Sequence, residues 1–127
     1  MKIMIVEDHE AVRASLRDFL NTALPGSHVL EAATGEEALE VAFDEEPEVV
    51  LMDLGLPGMT GLEATRRLTV VAPRSRVVVC SVHEGSVYKQ AALAAGAVGF
   101  VPKREANERL VPLIRTLRAL APAGAEA

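Results

Sequence analysis

The sequence predicts an α/β fold in which a parallel five-stranded sheet, doubly wound, carries helices on both faces. Three observations support this prediction: short apolar runs rich in β-branched residues recur along the chain, helical patterns separate them, and turn or capping residues stand between the two. Apolar runs without polar alternation indicate strands buried on both faces, which is typical of parallel sheets. Strands that alternate with helices build such sheets as repeated βα units, here (βα)5.

The five predicted strands span residues 2–6, 28–32, 49–53, 76–81 and 99–101, and a helical pattern follows each of them. The first helix has its apolar residues on one face, at the spacing i, i+4, i+7 and i+8: Val12, Leu16, Phe19 and Leu20. The second and third helices begin at capping boxes, in which Thr34 and Thr60 each precede a glutamate by three residues. Proline or glycine is expected to end the middle helices, at Pro47, Pro73 and Gly96.

The last helix has the least regular pattern. Leu110, Ile114 and Leu117 mark its apolar face, but Pro112 stands among them, and a proline inside a helix costs about 3 kcal/mol. The sequence therefore predicts either a late start near residues 109–111 or a kinked helix. Residues 1–120 are expected to form one domain, and residues 121–127, which are rich in Ala, Pro and Gly, are expected to be a tail or the start of a linker.

The composition restricts the class of protein. The chain has 127 residues, of which 50% are hydrophobic and only 3% aromatic, so the core is expected to be aliphatic. No apolar run approaches the roughly 20 residues that cross a membrane, and the single cysteine excludes a disulfide framework. We therefore expect a cytoplasmic protein without membrane contact. The cysteine, Cys80, lies in an apolar strand and is expected to pack as a small hydrophobic residue.

The net charge of −5 conceals two halves of opposite sign. Residues 1–63 contain 3 Lys/Arg and 14 Asp/Glu, whereas residues 64–127 contain 10 and 4. Such a division fits an acidic metal-binding end with a basic partner-binding face, and it fits equally well a set of ordinary solvated helix faces. Direct binding of nucleic acid is not expected, because the net charge is negative and aromatic stacking residues are lacking.

Polar residues stand at the end of four predicted strands or just after it: Glu7 and Asp8, Asp53, Ser81, and Lys103. In parallel α/β sheets, ligands and chemistry lie at the carboxyl ends of the strands. The order 2-1-3-4-5 of flavodoxin-like sheets places the first and third strands side by side. The three acidic residues are therefore expected to be neighbours.

These residue types suit a divalent metal and a phosphoryl group. Three clustered carboxylates repel one another unless a cation lies among them, and such oxygen ligands suit Mg²⁺. Asp53 precedes a tight loop that contains Gly55 and Pro57, where a carboxylate can attack phosphorus and form an acyl phosphate. Ser81 can donate its hydroxyl to a phosphoryl oxygen, and Lys103 can approach that oxygen as a point charge. Taken singly, each of these residues is more often an ordinary loop, turn or surface residue.

The three histidines, His9, His28 and His83, lie in different segments without the spacing of metal ligands. Structural or surface roles are therefore expected for them. His83 is the exception to follow, because it stands two residues after Ser81 and could overhang the site.

These motifs resemble those of the CheY-like receiver domains of bacterial two-component response regulators. The resemblance extends from residue 1 to about residue 120 and rests on segments 3–9, 49–61, 78–81 and 99–103, in that order and at these spacings. Residues 96–103 look most like the NarL/FixJ-type branch. In that branch the receiver usually precedes a helix-turn-helix DNA-binding domain.

The resemblance implies a role for each acidic residue. Asp53 would be the phosphoacceptor, and Glu7 and Asp8 would bind Mg²⁺ with it, aided by the backbone carbonyl of Gly55.

The resemblance also implies a switch. Ser81 would be the switch hydroxyl, Lys103 the lysine that contacts the phosphate, and Phe100 the switch aromatic. The family often has threonine in place of Ser81 and tyrosine in place of Phe100. A proline commonly follows the lysine, whereas here Pro102 precedes it.

We therefore predict a phosphoryl-accepting signalling switch that catalyses only its own phosphorylation and dephosphorylation. A sensor histidine kinase or a small phosphodonor would phosphorylate Asp53, and the altered conformation would control a partner or a DNA-binding output domain absent from this chain, in transcription regulation. The branch also implies a homodimer formed on phosphorylation. Two alternatives stay open: a receiver-like interaction module that takes no phosphate, and an aspartate-nucleophile phosphohydrolase. Such hydrolases commonly carry a second acid where this chain has Gly55.

Overall fold

The computed structural model describes residues 1–120. Their five strands form one parallel sheet in the order β2-β1-β3-β4-β5. The strands are β1 (Lys2–Val6), β2 (His28–Ala32), β3 (Val49–Met52), β4 (Arg76–Ser81) and β5 (Gly99–Pro102). The helices are α1 (Glu10–Ala23), α2 (Gly35–Glu45), α3 (Gly61–Val71), α4 (Ser86–Ala94) and α5 (Ala106–Ala119), and a 3₁₀ turn (Lys103–Glu105) precedes α5. The predicted doubly wound (βα)5 sheet is confirmed, including its strand order.

Two strand ends differ by one residue from the prediction. Strand β3 ends at Met52 rather than Asp53, although the Asp53 N–H still donates to the Val6 carbonyl at 3.1 Å. Strand β5 continues to Pro102, which pairs in register with Ser81. A proline is tolerated there because β5 is an edge strand and needs no N–H on its open side.

The sheet is buried on both faces by aliphatic side chains. One apolar cluster joins the sheet to α2, α3 and α4, and the other joins it to α1 and α5. Phe100 is the only buried aromatic residue among residues 1–120, so the prediction of an aliphatic core is confirmed. Burial on both faces explains why the strand sequences are continuously apolar rather than alternating.

The predicted signals for helix ends are confirmed. The hydroxyl of Thr34 accepts a hydrogen bond from the Glu37 N–H at 3.0 Å, and that of Thr60 accepts one from the Glu63 N–H at 3.2 Å. Helices α2 and α3 end one residue before their cap residues, which Pro47 and Pro73 follow directly. Gly96, with φ +112°, follows the last turn of α4. Such a backbone angle favours glycine.

Of the two alternatives predicted for α5, the late start near residues 109–111 is wrong, and the kink stays a prediction. The helix begins at Ala106, so Pro112 lies inside it, at its seventh residue. Leu110, Ile114 and Leu117 are all buried against the sheet, and Ala106 packs against the same cluster, so the early start extends the apolar face of the helix by one turn. Tertiary burial therefore overrides the local cost of the proline.

No helix within residues 1–120 is long and apolar enough to span a bilayer. The tail predicted for residues 121–127 lies outside the described residues.

Candidate functional site

The strand register brings the first two acidic residues of the site together. Val6 of β1 is paired with Met52 of β3, so the residues that follow, Glu7 and Asp53, leave adjacent strands at the same level. Both side chains are buried. Backbone bonds fix this edge, because the Glu7 N–H donates to Ala32 O at 3.0 Å and the Asp53 N–H donates to Val6 O at 3.1 Å.

Lys103 links the two buried carboxylates. Its Nζ lies 3.1 Å from Glu7 Oε1 and 3.3 Å from Asp53 Oδ1. The lysine reaches this position because Pro102 at the end of β5 lies beside Ser81 and the chain then turns into the 3₁₀ helix. The sequence prediction that Lys103 approaches the acidic edge is thus met in the structure.

The electrostatics of this trio follow from burial and from its excess of negative charge. Burial is the largest effect on Glu7 and raises its pKa, and a hydrogen bond and charge repulsion from Asp53 raise it further against the opposing influence of Lys103. Burial by itself lowers the pKa of Lys103, but the combined attraction of Asp53 and Glu7 outweighs it and the pKa is raised. The ammonium is therefore held in its charged form beside the acidic pair.

Two carboxylate oxygens at this edge lack a hydrogen-bond donor among residues 1–120: Glu7 Oε2 and Asp8 Oδ1, both buried. An ionised carboxylate only accepts hydrogen bonds, so a buried oxygen without a donor needs another positive partner. Carboxylate oxygens are the ligands preferred by hard divalent cations. The donor set therefore fits such an ion.

His9 belongs to the same group of potential metal ligands, which the sequence reasoning missed. Ligand atoms of Glu7, Asp8 and His9 lie within 4.8 Å of one another. His9 Nδ1 is 3.4 Å from Glu7 Oε1 and 3.4 Å from Asp8 Oδ1. Asp53 is not in this group. Spacing rules overlook His9 because the three potential ligands are consecutive in the chain rather than distributed at typical metal-ligand intervals.

Gly55 stands close to the carboxylate of Asp53. A Cβ built on Gly55 would lie 3.7 Å from Asp53 Oδ2, so any side chain at this position would touch that oxygen. Glycine keeps the approach open and supplies no acid or amide there. Coordination of a metal by its carbonyl remains a prediction.

Ser81 and Phe100 are both buried, on adjacent strands. Ser81 is completely inaccessible, and its Oγ accepts a hydrogen bond from the His83 N–H at 3.0 Å. Phe100 pairs in register with Val79 and packs into the cluster under α2, α3 and α4. His83 stacks on Tyr88 of α4, with ring centroids 5.1 Å apart. This contact ties the loop after Ser81 to α4.

A cavity of about 380 Å³ between α1 and α5 reaches the acidic edge. Its walls are mainly apolar, and Glu7, Asp53 and Lys103 line it. Cys80 also lines it, and burial raises the pKa of this thiol to about 11. Cys80 is therefore a protonated packing residue, as predicted.

Comparison with known proteins yields consistent matches. The family model described as the response regulator receiver domain matches residues 3–115. The transcriptional activator ExaE of Pseudomonas putida is 42% identical over 119 residues, which are 94% of this chain and 56% of ExaE. The response regulator GacA of Pseudomonas aeruginosa is 38% identical over 116 residues, 91% of this chain and 54% of GacA. The chain thus spans about half the length of these curated relatives.

Solved structures agree with the sequence matches. A LuxR-family two-component response regulator from Aurantimonas sp. SI85-9A1 superposes with a TM-score of 0.87 at 37% identity, covering 93% of this chain and 84% of that one. The response regulator domain of Thermotoga maritima CheB gives a TM-score of 0.85 at 29% identity, covering 96% and 98% of the two chains.

Proposed function

The chain belongs to the response regulator receiver domain family, with its relatives in the NarL/FixJ-type branch, and from this premise we propose that Asp53 is its phosphoacceptor. The observation that supports the assignment is the bridge made by Lys103 Nζ between Glu7 Oε1 at 3.1 Å and Asp53 Oδ1 at 3.3 Å. A phosphoryl group on Asp53 would take its negative charge directly to that ammonium. The domain then acts as a signalling switch whose only catalysis concerns its own phosphorylation state.

Transfer needs an ionised, approachable carboxylate. Lys103 Nζ lies 3.3 Å from Asp53 Oδ1 and so fixes one oxygen of this carboxylate. Gly55 leaves the space beside Oδ2 free of side-chain atoms. An Asp53 oxygen forms a bond to phosphorus while the bond from phosphorus to the donor breaks. Acetate leaves acetyl phosphate as an anion, whereas the imidazole of a phosphohistidine takes up a proton from solvent as it leaves. Lys103 then holds the oxygens of the acquired group.

We propose Mg²⁺ as the metal, held by the carboxylates of Glu7, Asp8 and Asp53 and by the Gly55 carbonyl. The buried oxygens Glu7 Oε2 and Asp8 Oδ1, which have no donor among residues 1–120, support this assignment. Bound Mg²⁺ supplies neutralisation of the charge on the transferring phosphoryl oxygens.

Intact mass after incubation with acetyl phosphate tests the proposal. We expect the wild-type chain to gain one phosphoryl mass in the presence of Mg²⁺ and none after chelation. Asp53→Asn should gain none in either condition, whereas Asp44→Asn, an exposed acid on α2, should behave as the wild type. No gain by the wild type under any condition would favour the receiver-like module that takes no phosphate.

The switch is proposed to run through Ser81 and Phe100. In the structure, the Ser81 hydroxyl oxygen accepts a hydrogen bond from the His83 N–H. A phosphoryl group on Asp53 would attract the Ser81 hydroxyl and break this hydrogen bond. Because His83 stacks on Tyr88, this change is transmitted to α4. Phe100 can turn into the space that Ser81 vacates, which shifts the population between two packings of the α4–β5–α5 face.

Removing either switch side chain should uncouple phosphorylation from this face. We expect Ser81→Ala and Phe100→Ala each to lose more than half of the phosphorylation-dependent amide shifts of α4 in NMR spectra, because the altered residue no longer links the site to the helix. Ser27→Ala, before β2 and at the opposite edge of the sheet, should leave these shifts unchanged. Full shifts in both switch variants would contradict the proposed route.

The wider role is proposed from the relatives. The ExaE name describes a transcriptional activator, and only 56% of that protein is covered by the match. We therefore propose that the receiver is phosphorylated by a sensor histidine kinase in the cytoplasm and controls a C-terminal DNA-binding domain, without binding nucleic acid itself. Homodimerisation on phosphorylation is part of this proposal. Residues 1–120 would be the receiver and residues 121–127 its tail or linker.

A phosphohydrolase is the weaker alternative. A leaving group on a bound ester would need an acid close to the Asp53 carboxylate. The position best placed for such an acid is residue 55, where a Cβ would lie 3.7 Å from Asp53 Oδ2. This residue is glycine, so it supplies no acid. Sustained release of phosphate from small esters would restore this alternative.

A further inference from the structure

Helices α2 and α3 form a matched pair on one outer surface of the molecule. Each has 11 residues and begins after a threonine cap. Their starts lie side by side, because Glu36 Oε1 of α2 accepts a hydrogen bond from the Met59 N–H, just before α3, at 3.3 Å. Helix α2 follows β2 and α3 follows β3, and both strands run parallel to β1, so the two helices run in the same direction. Residues at equal positions along α2 and α3 therefore stand at about equal heights.

The two helices present opposite charges to solvent. Helix α2 exposes four acids: Glu36, Glu37, Glu40 and Asp44. No ion pair among the described residues uses any of them. Helix α3 exposes Arg66 and Arg67, which share the single carboxylate of Glu63 at 3.4 and 3.1 Å. Helix α3 therefore has one positive charge without a compensating acid in the same helix, whereas α2 has an excess of negative charge.

An exposed apolar residue lies near the end of each helix. Phe43 of α2 is 70% exposed and Val70 of α3 is 81% exposed. Phe43 is the ninth residue of its helix and Val70 the tenth of its own, so they stand in the same turn. Glu36 lies on the flank of α2 that faces α3. Phe43 comes seven residues later, which is nearly two full helical turns, so it lies on the same flank. Large apolar residues exposed within a charged surface mark interaction sites when they cluster.

We propose that this α2–α3 surface, defined by Glu36, Glu37, Glu40, Phe43, Asp44, Arg66, Arg67 and Val70, binds the same surface of a second copy of the chain. A two-fold axis parallel to the helices lays α2 of one copy over α3 of the other. The acids of each α2 then face the arginines of the other α3, and Phe43 meets Val70 at the same height. Self-complementarity of this kind is what an isologous two-fold interface requires.

This association is separate from the phosphorylation switch. The α2–α3 surface contains neither Ser81 nor Phe100, nor any residue of α4 or α5. We therefore expect Asp53→Asn to associate as well as the wild type, so the inference can stand or fall independently of the proposed phosphoacceptor. The surface of each copy offers two exposed apolar residues, Phe43 and Val70, and exposed ion pairs contribute little, so the dimer should be weak and populated near millimolar concentration.

Sedimentation equilibrium of the full chain, from micromolar to millimolar concentration, tests the apolar part of the surface. We expect Phe43→Ser to lower the association constant about tenfold, because it removes the apolar contacts between Phe43 and Val70 across the axis. Val87→Ser on α4, where the valine is 75% exposed, is the matched control and should leave the association unchanged. A wild-type chain that is monomeric throughout, or equal effects of the two variants, would overturn the inference.

Charge reversal tests the arrangement itself. One variant, Glu37→Arg with Glu40→Arg, makes part of α2 basic, and the other, Arg66→Glu with Arg67→Glu, makes α3 acidic. Each alone should associate about fivefold or more weakly, because like charges now meet across the axis. An equimolar mixture should regain association, because each altered helix can face the opposite charge. If the mixture associated no more strongly than either variant alone, the proposed pairing would be overturned, and a different protein would be the better candidate partner of this surface.

Discussion

Replacing Gly61 by alanine should lower the free energy of unfolding by about 3 kcal/mol or more. A Cβ at this position would lie 2.1 Å from the carbonyl oxygen of Asp53 and 2.8 Å from the Leu54 Cα. These are backbone atoms, so no side chain can rotate away to relieve the contact. Gly61 is buried at the start of α3, and its own N–H donates to Leu54 O at 3.3 Å. Relief therefore requires moving the loop that carries Asp53.

Urea denaturation followed by circular dichroism measures this loss. Gly55→Ala in the same loop is the matched control, since its Cβ would meet only Asp53 Oδ2, at an ordinary 3.7 Å, and its φ is not positive. Alanine there should be neutral or stabilise by up to about 1 kcal/mol. If both variants unfolded at the wild-type urea midpoint, the close approach of α3 to Asp53 would not be a constraint on this fold.

The fold was predictable because its signals are local and agree with one another. Each strand is a continuous apolar run that only burial on both faces explains, and α2 and α3 carry threonine caps with glutamate three residues later. The convergence of Asp53 and Lys103 was predictable for a topological reason. All parallel strands of a sheet end at the same edge, however far apart they are in sequence. Asp53 follows β3 and Lys103 follows β5, and the long lysine side chain spans β4 between them.

The start of α5 was not predictable from local signals. The cost of Pro112 can be read from the sequence, but the gain from burying Leu110, Ile114 and Leu117 depends on the shape of the sheet surface beneath them. The same limit applies to the α2–α3 surface. Phe43 is typical of a core residue by its type, and only the packed structure reveals that it is 70% exposed.

The ligand group at the acidic edge was predicted only in part, since His9 was assigned no role there. Its position is local: His9 is the residue before α1, and its extended backbone brings the imidazole back toward the two preceding acids. Sequence spacing does not reveal such a turn.

Asp8→Asn is expected to weaken Mg²⁺ binding about 10- to 100-fold, whereas His9→Ala should change it less than about threefold. Asp8 offers a buried oxygen, Oδ1, that has no hydrogen-bond donor within residues 1–120, and the amide would replace a full negative charge by a dipole. Mg²⁺ prefers oxygen over imidazole nitrogen, and the His9 side chain is 71% exposed, so its removal costs the ion little. Titration of the ion against backbone amide shifts in NMR spectra measures both affinities. A larger loss of affinity in His9→Ala than in Asp8→Asn would contradict this assignment. It would mean that the imidazole is the stronger ligand and that the site favours a softer metal than Mg²⁺.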